Sequence, residues 1–453
     1  MTFGAAAAIA GATDTIVAMA TAPGRGALSV IRLSGSRAHA IARQIVQTWP
    51  EAARHATLSL LHDGKAALDQ AVVVRYDAPA SFTGEDAVEL TTHGGTTVPA
   101  TIIAALIAAG AREAQPGEFT RRAVLNGKMD LLQAEAVGDL VAATSRAGQR
   151  LALSQLDGGL SRRLLELRGK ILGLEALIAY DIDFPEEDDG PIPRDRIESA
   201  LGDVLAGLDA LLATADSGEL VREGALVVLA GVPNAGKSSL FNALVGRRRA
   251  IVTDVPGTTR DAIEAVVDTA KWPLRLVDTA GLRDTTDVVE RIGVDVSFEY
   301  LERAAVVLAC GGTRDEIDRA VAACSGRTQA PIIVVRTKAD LPSSTAPRAD
   351  EIAVSSVTGT GLEQLLSKIV ASLGDQSLDT DAPILTKARH RARVSRAREE
   401  LTAFRDAWSA RAIPAVVAAV HLRAATASLE ELIGRVDVES ILDEVFSRFC
   451  VGK

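Results

Sequence analysis

The segment 225–240 constrains the fold of this chain more than any other. It begins with an apolar run from Leu226 to Leu229, which predicts a buried parallel strand. The next eight residues, Gly231-Val-Pro-Asn-Ala-Gly236-Lys237-Ser238, match the pattern G-x-x-x-x-G-K-[S/T], and an amphipathic helix is predicted after them. In this arrangement, backbone N–H groups at a helix N-terminus bind phosphate oxygens. The segment therefore predicts a nucleoside triphosphate site.

Composition places this site in a multidomain protein. The chain has 453 residues, of which 47% are hydrophobic and 24% charged, as is usual for globular proteins. The net charge of −10 argues against a general nucleic-acid-coating surface, so that any RNA contact would need a local basic patch. The cysteines lack the spacing of a metal site or a disulfide framework. Since neither a signal peptide nor a membrane span is predicted, we expect a cytoplasmic enzyme without membrane association.

Strand and helix patterns divide the chain into four segments. Residues 1–125 alternate short strands with helices, which predicts an α+β domain; the strands are expected at 15–18, 27–33, 71–76 and 87–91, and the helices at 36–46 and 98–109. Residues 126–220 and 377–453 are predicted to be helical, with one leucine stripe from Leu153 to Ile178 and a last helix at 438–449. Residues 221–376 alternate strands and helices, which indicates a doubly wound parallel sheet. We therefore expect one helical domain in two parts, with an α/β domain inserted between them.

A basic run lies early in the second helical part. Residues 387–398 hold six Lys or Arg among twelve residues. This run predicts either a solvated helix face or a patch for RNA phosphates.

Further motifs follow the phosphate loop in the order expected of a GTPase. Asp278-Thr-Ala-Gly281 ends a predicted strand at 274–277, where Asp278 can hold Mg²⁺ through water and the Gly281 N–H can bind the γ-phosphate. Thr337-Lys-Ala-Asp340 follows a predicted strand at 331–335. A buried Asp340 carboxylate would accept from guanine N1–H and N2–H₂ and would be left unpaired by adenine. Ser355-Ser-Val357 is the expected backbone contact to guanine O6.

The loop 253–261 and the segment after Gly281 contain the residues that are predicted to act in GTP hydrolysis. Ser238 and Thr259 are the predicted Mg²⁺ ligands, with Thr259 in place only while the γ-phosphate holds its loop. Leu282 stands where many small GTPases have a glutamine that orients the attacking water, and Glu290 is the nearest downstream acid on a predicted helix. The charge that develops on the γ-phosphate also needs a cation, which could be Arg260, Arg283 or a bound monovalent ion.

The motifs together indicate a GTPase, because four of them occur in the expected order and spacing. The predicted GTP contacts are Asn234, Ala235, Gly236, Lys237, Ser238, Ser239, Thr253, Asp254, Val255, Pro256, Gly257, Thr258, Thr259, Asp278, Thr279, Ala280, Gly281, Thr337, Lys338, Ala339, Asp340, Ser355, Ser356 and Val357.

Short motifs outside the α/β segment add a family resemblance. They are Thr15-Ile-Val-Ala, Pro23-Gly-Arg-Gly, Ser81-Phe-Thr-Gly-Glu-Asp, His93-Gly-Gly, Pro116-Gly-Glu-Phe, the stretch 125–136 and the terminal Phe449-Cys-Val-Gly-Lys453. With the GTPase motifs, they resemble the MnmE (TrmE) family of bacterial tRNA modification GTPases over nearly the whole chain. The resemblance implies an N-terminal α+β domain like a folate-binding domain, a discontinuous α-helical bundle and an inserted Ras-like P-loop domain.

The resemblance also implies cofactors and partners. It implies a homodimer built through the N-terminal domains, which hold a 5-formyltetrahydrofolate-type one-carbon donor at Arg32, Glu89 and Lys128, with Lys453 reaching over. It implies a heterotetramer with an MnmG-type flavoprotein, which alone carries FAD. The pair would add a carboxymethylaminomethyl or aminomethyl group to C5 of the wobble uridine (position 34) of certain tRNAs.

In that family K⁺ takes the part of an arginine finger and drives dimerisation of the G domains. The resemblance implies that its ligands are Asn234, Thr253, Val255 and Thr258, and that Glu290 orients the water. Cys450 matches a terminal Cys-x-Gly-Lys motif without a settled role. As a departure, Thr337 replaces the usual Asn of the base motif, from which we expect some loss of guanine affinity.

Two other functions remain open from the sequence. A ribosome-assembly GTPase of the Era/EngA type would share the G domain but not the N-terminal motifs or the Cys-x-Gly-Lys end. A non-catalytic scaffold could use GTP as a clamp on its helical domain.

Overall fold

The protein forms two compact units in a computed structural model. The model describes residues 14–183, 194–247, 263–269, 271–278, 299–341, 348–374, 382–410, 415–434 and 452. The first unit comprises residues 1–138 and 430–453, and the second comprises residues 139–429. This division differs from the four predicted segments, because it places 126–138 and 430–453 in the first unit; the predicted boundaries at 125, 220 and 376 stay predictions.

The first unit is built on a six-stranded sheet. Its elements are β1 (Ile16–Met19), β2 (Leu28–Ser34), α1 (Ala38–Ala42), β3 (Thr57–His62), β4 (Ala67–Tyr76), β5 (Ala87–His93), α2 (Thr97–Ala108), β6 (Arg112–Glu113) and α3 (Glu118–Leu125). The strand order is β3-β4-β5-β2-β1-β6, and only β1 and β6 run parallel. Apolar side chains of α1 and α2 share one core with the sheet, which confirms the predicted α+β arrangement.

Helix α1 is shorter than predicted. The pattern predicts a helix over 36–46, whereas the helix ends at Ala42. The next residues form turns. There Val46 pairs with Leu61 in an isolated bridge, and the Ile45 carbonyl accepts a hydrogen bond from the His62 N–H. Contact with a distant strand thus overrides the local helical pattern.

A half-buried ionic cluster joins α3 to the start of the sheet. Arg122, with 8% of its side chain exposed, contacts Asp14 at 2.6 Å, Glu85 at 3.2 Å and Glu118 at 3.0 Å. Burial alone would raise the pKa of Glu118, but hydrogen bonds from Arg112, a backbone N–H and Arg122 lower it to about 2. This shift adds stability that is fully present above the ordinary glutamate pKa and is lost as the pH falls towards 2.

Helices precede and follow the α/β domain along the chain. The first group is α4 (Leu131–Ala142), α5 (Arg146–Leu156), α6 (Gly159–Asp183), α7 (Arg194–Leu212) and α8 (Ala215–Glu223). The prediction of one helix along the leucine stripe is wrong. Gly158, at φ +78°, ends α5 in the left-handed region, and α6 starts anew at Gly159. Leu153 is therefore 43% exposed, while Leu160 to Ile178 bury the same stripe in α6.

The helices on the two sides of the α/β domain pack together. After it come α12 (Ala388–Ala410) and α13 (Ala415–Ile433), and α12 packs against α7, which also contacts α6. The predicted helix at 438–449 lies outside the described residues. Among the residues described, no helix has the length and apolar character needed to cross a membrane.

Much of the basic run 387–398 is paired inside the second unit. Lys387 lies 3.1 Å from Asp139, Arg391 lies 2.6 Å from Asp216, and Arg398 bonds Asp209. These acids belong to α4, α8 and α7. The run therefore joins α12 and the turn before it to the earlier helices, while Arg391 and Arg398 stay about half exposed, as a solvated helix face would be.

The α/β domain has a six-stranded sheet with helices on both faces. Its elements are β7 (Ala225–Ala230), α9 (Lys237–Arg247), β8 (Ile263–Asp268), β9 (Pro273–Asp278), β10 (Val306–Gly311), α10 (Arg314–Cys324), β11 (Ile332–Arg336), β12 (Ile352–Ala353) and α11 (Leu362–Ser372). The strand order is β12-β11-β10-β7-β9-β8, parallel except for the edge strand β8. Separate apolar clusters cover the two faces, which confirms the doubly wound prediction.

Candidate functional site

The phosphate loop follows the central strand β7 and is shaped by its neighbours. Gly231 lies so close to β10 that a Cβ atom there would be 2.3 Å from the carbonyl oxygen of Cys310. Asn234 and Gly236 have φ values of +63° and +86°, which bend the chain into the start of α9. The glycines of the motif are thus required by a close approach at Gly231 and by a left-handed backbone at Gly236.

Lys237 lies across this loop. Its side chain is almost fully buried, and Nζ donates to the carbonyl oxygens of Gly231 at 2.9 Å and Val232 at 3.1 Å. The next residue, Ser238, is exposed in the first turn of α9. The ammonium and the helix N-terminus give this loop the positive potential that phosphate groups need.

Asp278 lies at the same edge of the sheet. It is the last residue of β9, is 1% exposed, and stands opposite Leu229 near the end of β7. A serine hydroxyl and a carboxylate are oxygen ligands of the kind that Mg²⁺ prefers. The residues present at this edge therefore fit a nucleotide-bound Mg²⁺ ion.

The predicted base motif is tied directly to the phosphate loop. Thr337, which is buried, donates its hydroxyl to the Ala235 carbonyl at 2.5 Å. Lys338 donates Nζ to the Asn234 carbonyl at 2.8 Å. The motif and the loop thus share two hydrogen bonds, one of them from the threonine that replaces asparagine. The predicted loss of guanine affinity stays a prediction.

Asp340 is held by the next segment of the motif. The Ser355 hydroxyl donates to Asp340 Oδ1 at 2.7 Å and accepts the backbone N–H groups of Val357 and Thr358. The expectation that Asp340 is buried is wrong, because the loop after β11 carries it past the end of the sheet, where it is exposed. Selection against adenine by an unpaired carboxylate therefore requires that the bound base itself covers Asp340.

Several predicted residues lie outside the described part of the chain. They are Thr253, Asp254, Val255, Pro256, Gly257, Thr258, Thr259, Arg260, Thr279, Ala280, Gly281, Leu282, Arg283, Glu290, Cys450 and Lys453.

In the first unit the structure brings Arg32 and Glu89 together. They face each other across β2 and β5 and form an ion pair at 2.8 Å, about a quarter exposed. The Tyr76 hydroxyl donates to the other Glu89 oxygen at 3.1 Å, and burial followed by the charge of Glu89 raises the pKa of Tyr76. Sequence reasoning missed Tyr76, although strand alternation places it on the same face.

The surroundings of this pair are aromatic. The Arg32 guanidinium lies 5.4 Å from the centre of the Phe82 ring and 5.7 Å from that of Phe119. Lys128 donates to the Pro79 carbonyl at 2.9 Å and packs near Gly84, two residues beyond Phe82. Arg32 and Glu89 are thus paired beside two aromatic rings, and Lys128 contacts the segment that carries Phe82.

Gly452 shows that the end of the chain reaches the same sheet. It has φ +97° and is buried, and a Cβ atom there would lie 2.2 Å from the Met19 carbonyl oxygen. Met19 follows Ala18, which is paired with Arg32 in the sheet.

This fold and these contacts define a P-loop nucleotide-binding protein with a guanine-type base motif. Family models agree: one described as the GTP-binding protein TrmE N-terminus matches residues 15–128, and one described as the MnmE helical domain matches residues 131–450. Together with the curated relatives, these matches show that the chain belongs to the MnmE family of tRNA modification GTPases.

Three curated relatives, each named tRNA modification GTPase MnmE, are similar over almost their whole length. The protein of Azoarcus sp. strain BH72 is 42% identical over 97% of this chain and 98% of the relative. That of Aquifex aeolicus VF5 is 39% identical over 97% and 100%, and that of Laribacter hongkongensis HLHK9 is 41% identical over 97% and 99%. The G domain of the T. maritima FeoB iron transporter is 28% identical over 33% of this chain and 99% of that domain, with a TM-score of 0.27.

The Thr337 hydroxyl gives a first prediction. Thr337→Val keeps the shape of the side chain but removes the bond to the Ala235 carbonyl and leaves that carbonyl unpaired. We expect GDP affinity, measured with a fluorescent GDP, to fall about fivefold, as for a lost hydrogen bond of about 1 kcal/mol. Thr101→Val, on an exposed face of α2, is the control. Unchanged affinity in Thr337→Val would show that this bond is not needed for binding.

Proposed function

We propose that this chain hydrolyses GTP while it takes part in modification of the wobble uridine of certain tRNAs. With an MnmG-type flavoprotein, it would add a carboxymethylaminomethyl or aminomethyl group at C5 of position 34. The observation that carries the proposal is the match to relatives named tRNA modification GTPase over 97% of this chain, together with a phosphate loop bonded to its base motif. An Era/EngA-type protein would share only the G domain, so the match of residues 15–128 counts against that alternative.

The described residues support GTP and Mg²⁺ binding in defined roles. Lys237 would exchange the Gly231 and Val232 carbonyls for β- and γ-phosphate oxygens. Ser238 would bind Mg²⁺ with Thr259, and Asp278 would hold the ion through water. Asp340 would accept from guanine N1–H and N2–H₂.

Hydrolysis is proposed to depend on K⁺ and Glu290. Asn234 is exposed on the phosphate loop, and its side chain would supply one K⁺ ligand. Thr253, Val255 and Thr258 would supply the other ligands. The ion would stabilise the charge that develops on the γ-phosphate and would favour dimerisation of two G domains. Glu290 would orient the attacking water, since Leu282 offers neither a donor nor an acceptor.

This mechanism predicts how hydrolysis responds to the cation and to Glu290. At equal ionic strength, we expect GTP hydrolysis in K⁺ but little in Na⁺, because the proposed mechanism assigns to K⁺ the stabilisation of the charge on the γ-phosphate. Glu290→Ala should lower the rate in K⁺ by about a hundredfold or more while GTP still binds. Phosphate release and binding of a fluorescent GTP analogue measure the two effects. Equal rates in the two salts would refute the K⁺ mechanism, and weak binding in the variant would make Glu290 structural.

The first unit is proposed to bind a folate and to form the homodimer. A 5-formyltetrahydrofolate-type donor would lie at Arg32 and Glu89, with Lys128 and the terminal Lys453 adding positive charge for its carboxylates. The seating of Gly452 against Met19, on the strand next to Arg32, supports this placement of Lys453. The MnmG-type partner would carry FAD in a heterotetramer, and the assembly would work on tRNA in the cytoplasm, without membrane association.

Folate binding is testable at Arg32. Arg32→Met removes the charge next to Glu89, so we expect the affinity for 5-formyltetrahydrofolate, measured by calorimetry, to fall at least about tenfold. Arg43→Met is a matched control, because Arg43 also lies over an aromatic ring, that of Trp49, in the same unit. Equal loss in both variants, or in neither, would argue against a site at Arg32.

The decisive test of the overall function uses tRNA from a strain that lacks the gene. We expect nucleoside mass analysis to show position 34 without the C5 substituent, and the wild-type gene to restore it. A copy with Lys237→Ala should fail to restore it, since phosphate binding is lost. Wobble uridines that are unaltered in the deletion strain would refute the modification role and leave the scaffold alternative.

A further inference from the structure

The structure assigns a positioning role to the ion pair between Arg336 and Glu351. We infer that this pair holds the two base-contacting segments, at Asp340 and Ser355, in register for guanine. The inference rests on the proposed recognition of guanine by Asp340. Neither member of the pair belongs to a nucleotide-binding motif.

The pair is buried at the ends of two neighbouring strands. Arg336 ends β11 directly before Thr337, and Glu351 directly precedes β12. Their side chains are 6% and 0% exposed, and the guanidinium lies 2.6 Å from Glu351 Oε2. The same oxygen accepts the backbone N–H of Arg348 at 3.1 Å, so Glu351 also anchors the chain that leads into β12.

Strand β12, which leads to Ser355, is the less supported of the two, because β11 also pairs with β10 at five positions. β12 has two residues and pairs with β11 at two positions only, Val335 with Ile352 and Arg336 with Ala353. Two further backbone bonds continue this ladder, from the Val354 N–H to the Arg336 carbonyl and from the Ala339 N–H to the Val354 carbonyl. So short a ladder at the edge of a sheet supplies few hydrogen bonds, so that its register depends on side-chain contacts, namely those of the buried Ile352 and Val354 and of the ion pair.

A shift of β12 along β11 would directly displace the residues that contact the base. Ser355 follows Val354, and its hydroxyl orients Asp340 at 2.7 Å. Displacement of β12 by a fraction of a residue would break this bond and turn the carboxylate away from guanine N1–H and N2–H₂. The attraction within a buried ion pair offsets the cost of burying the two charges only while the geometry is good. Such a pair therefore resists a shift of one strand along the other.

The test compares GDP with inosine diphosphate, which lacks the 2-amino group of guanine. Their affinity ratio reports the second hydrogen bond to Asp340, whereas partial unfolding lowers both affinities alike. We expect Arg336→Met to reduce the ratio by about fivefold, as for one misaligned hydrogen bond. The kcat at saturating GTP should stay within about twofold of wild type.

A double variant separates the ion pair from simple packing. Arg336→Met with Glu351→Met removes both charges and should recover thermal stability but not the GDP preference. It also carries the test if Arg336→Met alone does not fold. Recovery of the full preference in the double variant, or an unchanged ratio in Arg336→Met, would overturn the inference.

Two controls complete the design. Asp318→Asn removes the exposed ion pair that Arg348 forms at 3.0 Å and should leave the ratio unchanged. A reduced ratio in this control would mean that any nearby charge change has the same effect, which overturns the inference. Asp340→Asn should reduce the ratio in the otherwise wild-type chain. If it does not, the proposed recognition of guanine fails, whatever the Arg336 variants show.

Discussion

The close packing of the phosphate loop against the ends of β10 and β11 is the contact on which the second unit depends. Gly231 meets the Cys310 carbonyl of one strand, and Thr337, just after the other, bonds the Ala235 carbonyl. These protein contacts therefore help to fix the shape of the loop. A loop shaped in advance loses less conformational entropy when phosphate binds, so that more of the interaction energy remains as affinity.

The same unit joins the α/β domain to the helices through packing as well as through the chain. Helix α8 ends at Glu223, and β7 begins two residues later, so the phosphate-loop strand continues from a helix. Leu151 of α5 and Val221 of α8 belong to the apolar core of the α/β domain. Where the chain returns to the helices, Gln155 donates to the Ile384 carbonyl at 3.1 Å. The inserted α/β domain therefore shares an apolar core with the helices. A movement of its sheet would act directly on the helices that it contacts.

Features that can be recognised from neighbouring residues were predicted correctly from the sequence. Predictions were wrong, or not made, where contacts between residues far apart in sequence determine the structure. The strand, loop and helix of 225–247 followed from the hydrophobic pattern and the glycine motif, which can be recognised within a few residues even though Cys310 and Thr337 also shape the loop. The split of the leucine stripe depends on the left-handed Gly158, whose backbone the stripe does not reveal. The exposure of Asp340 depends on where the sheet ends. The pairing of Arg32 with Glu89 needs strands far apart in sequence, so that only the family resemblance suggested it.

Both candidate sites keep their charged groups bonded to the protein itself. Lys237 donates to loop carbonyls, and Arg32 pairs with Glu89. A ligand must therefore exchange these bonds for its own, and the net gain per exchanged bond is only about 1 kcal/mol. A ligand that fails to replace one of them leaves a polar group unpaired, which costs more than a matched exchange gains. Such sites favour discrimination between similar ligands over very tight binding.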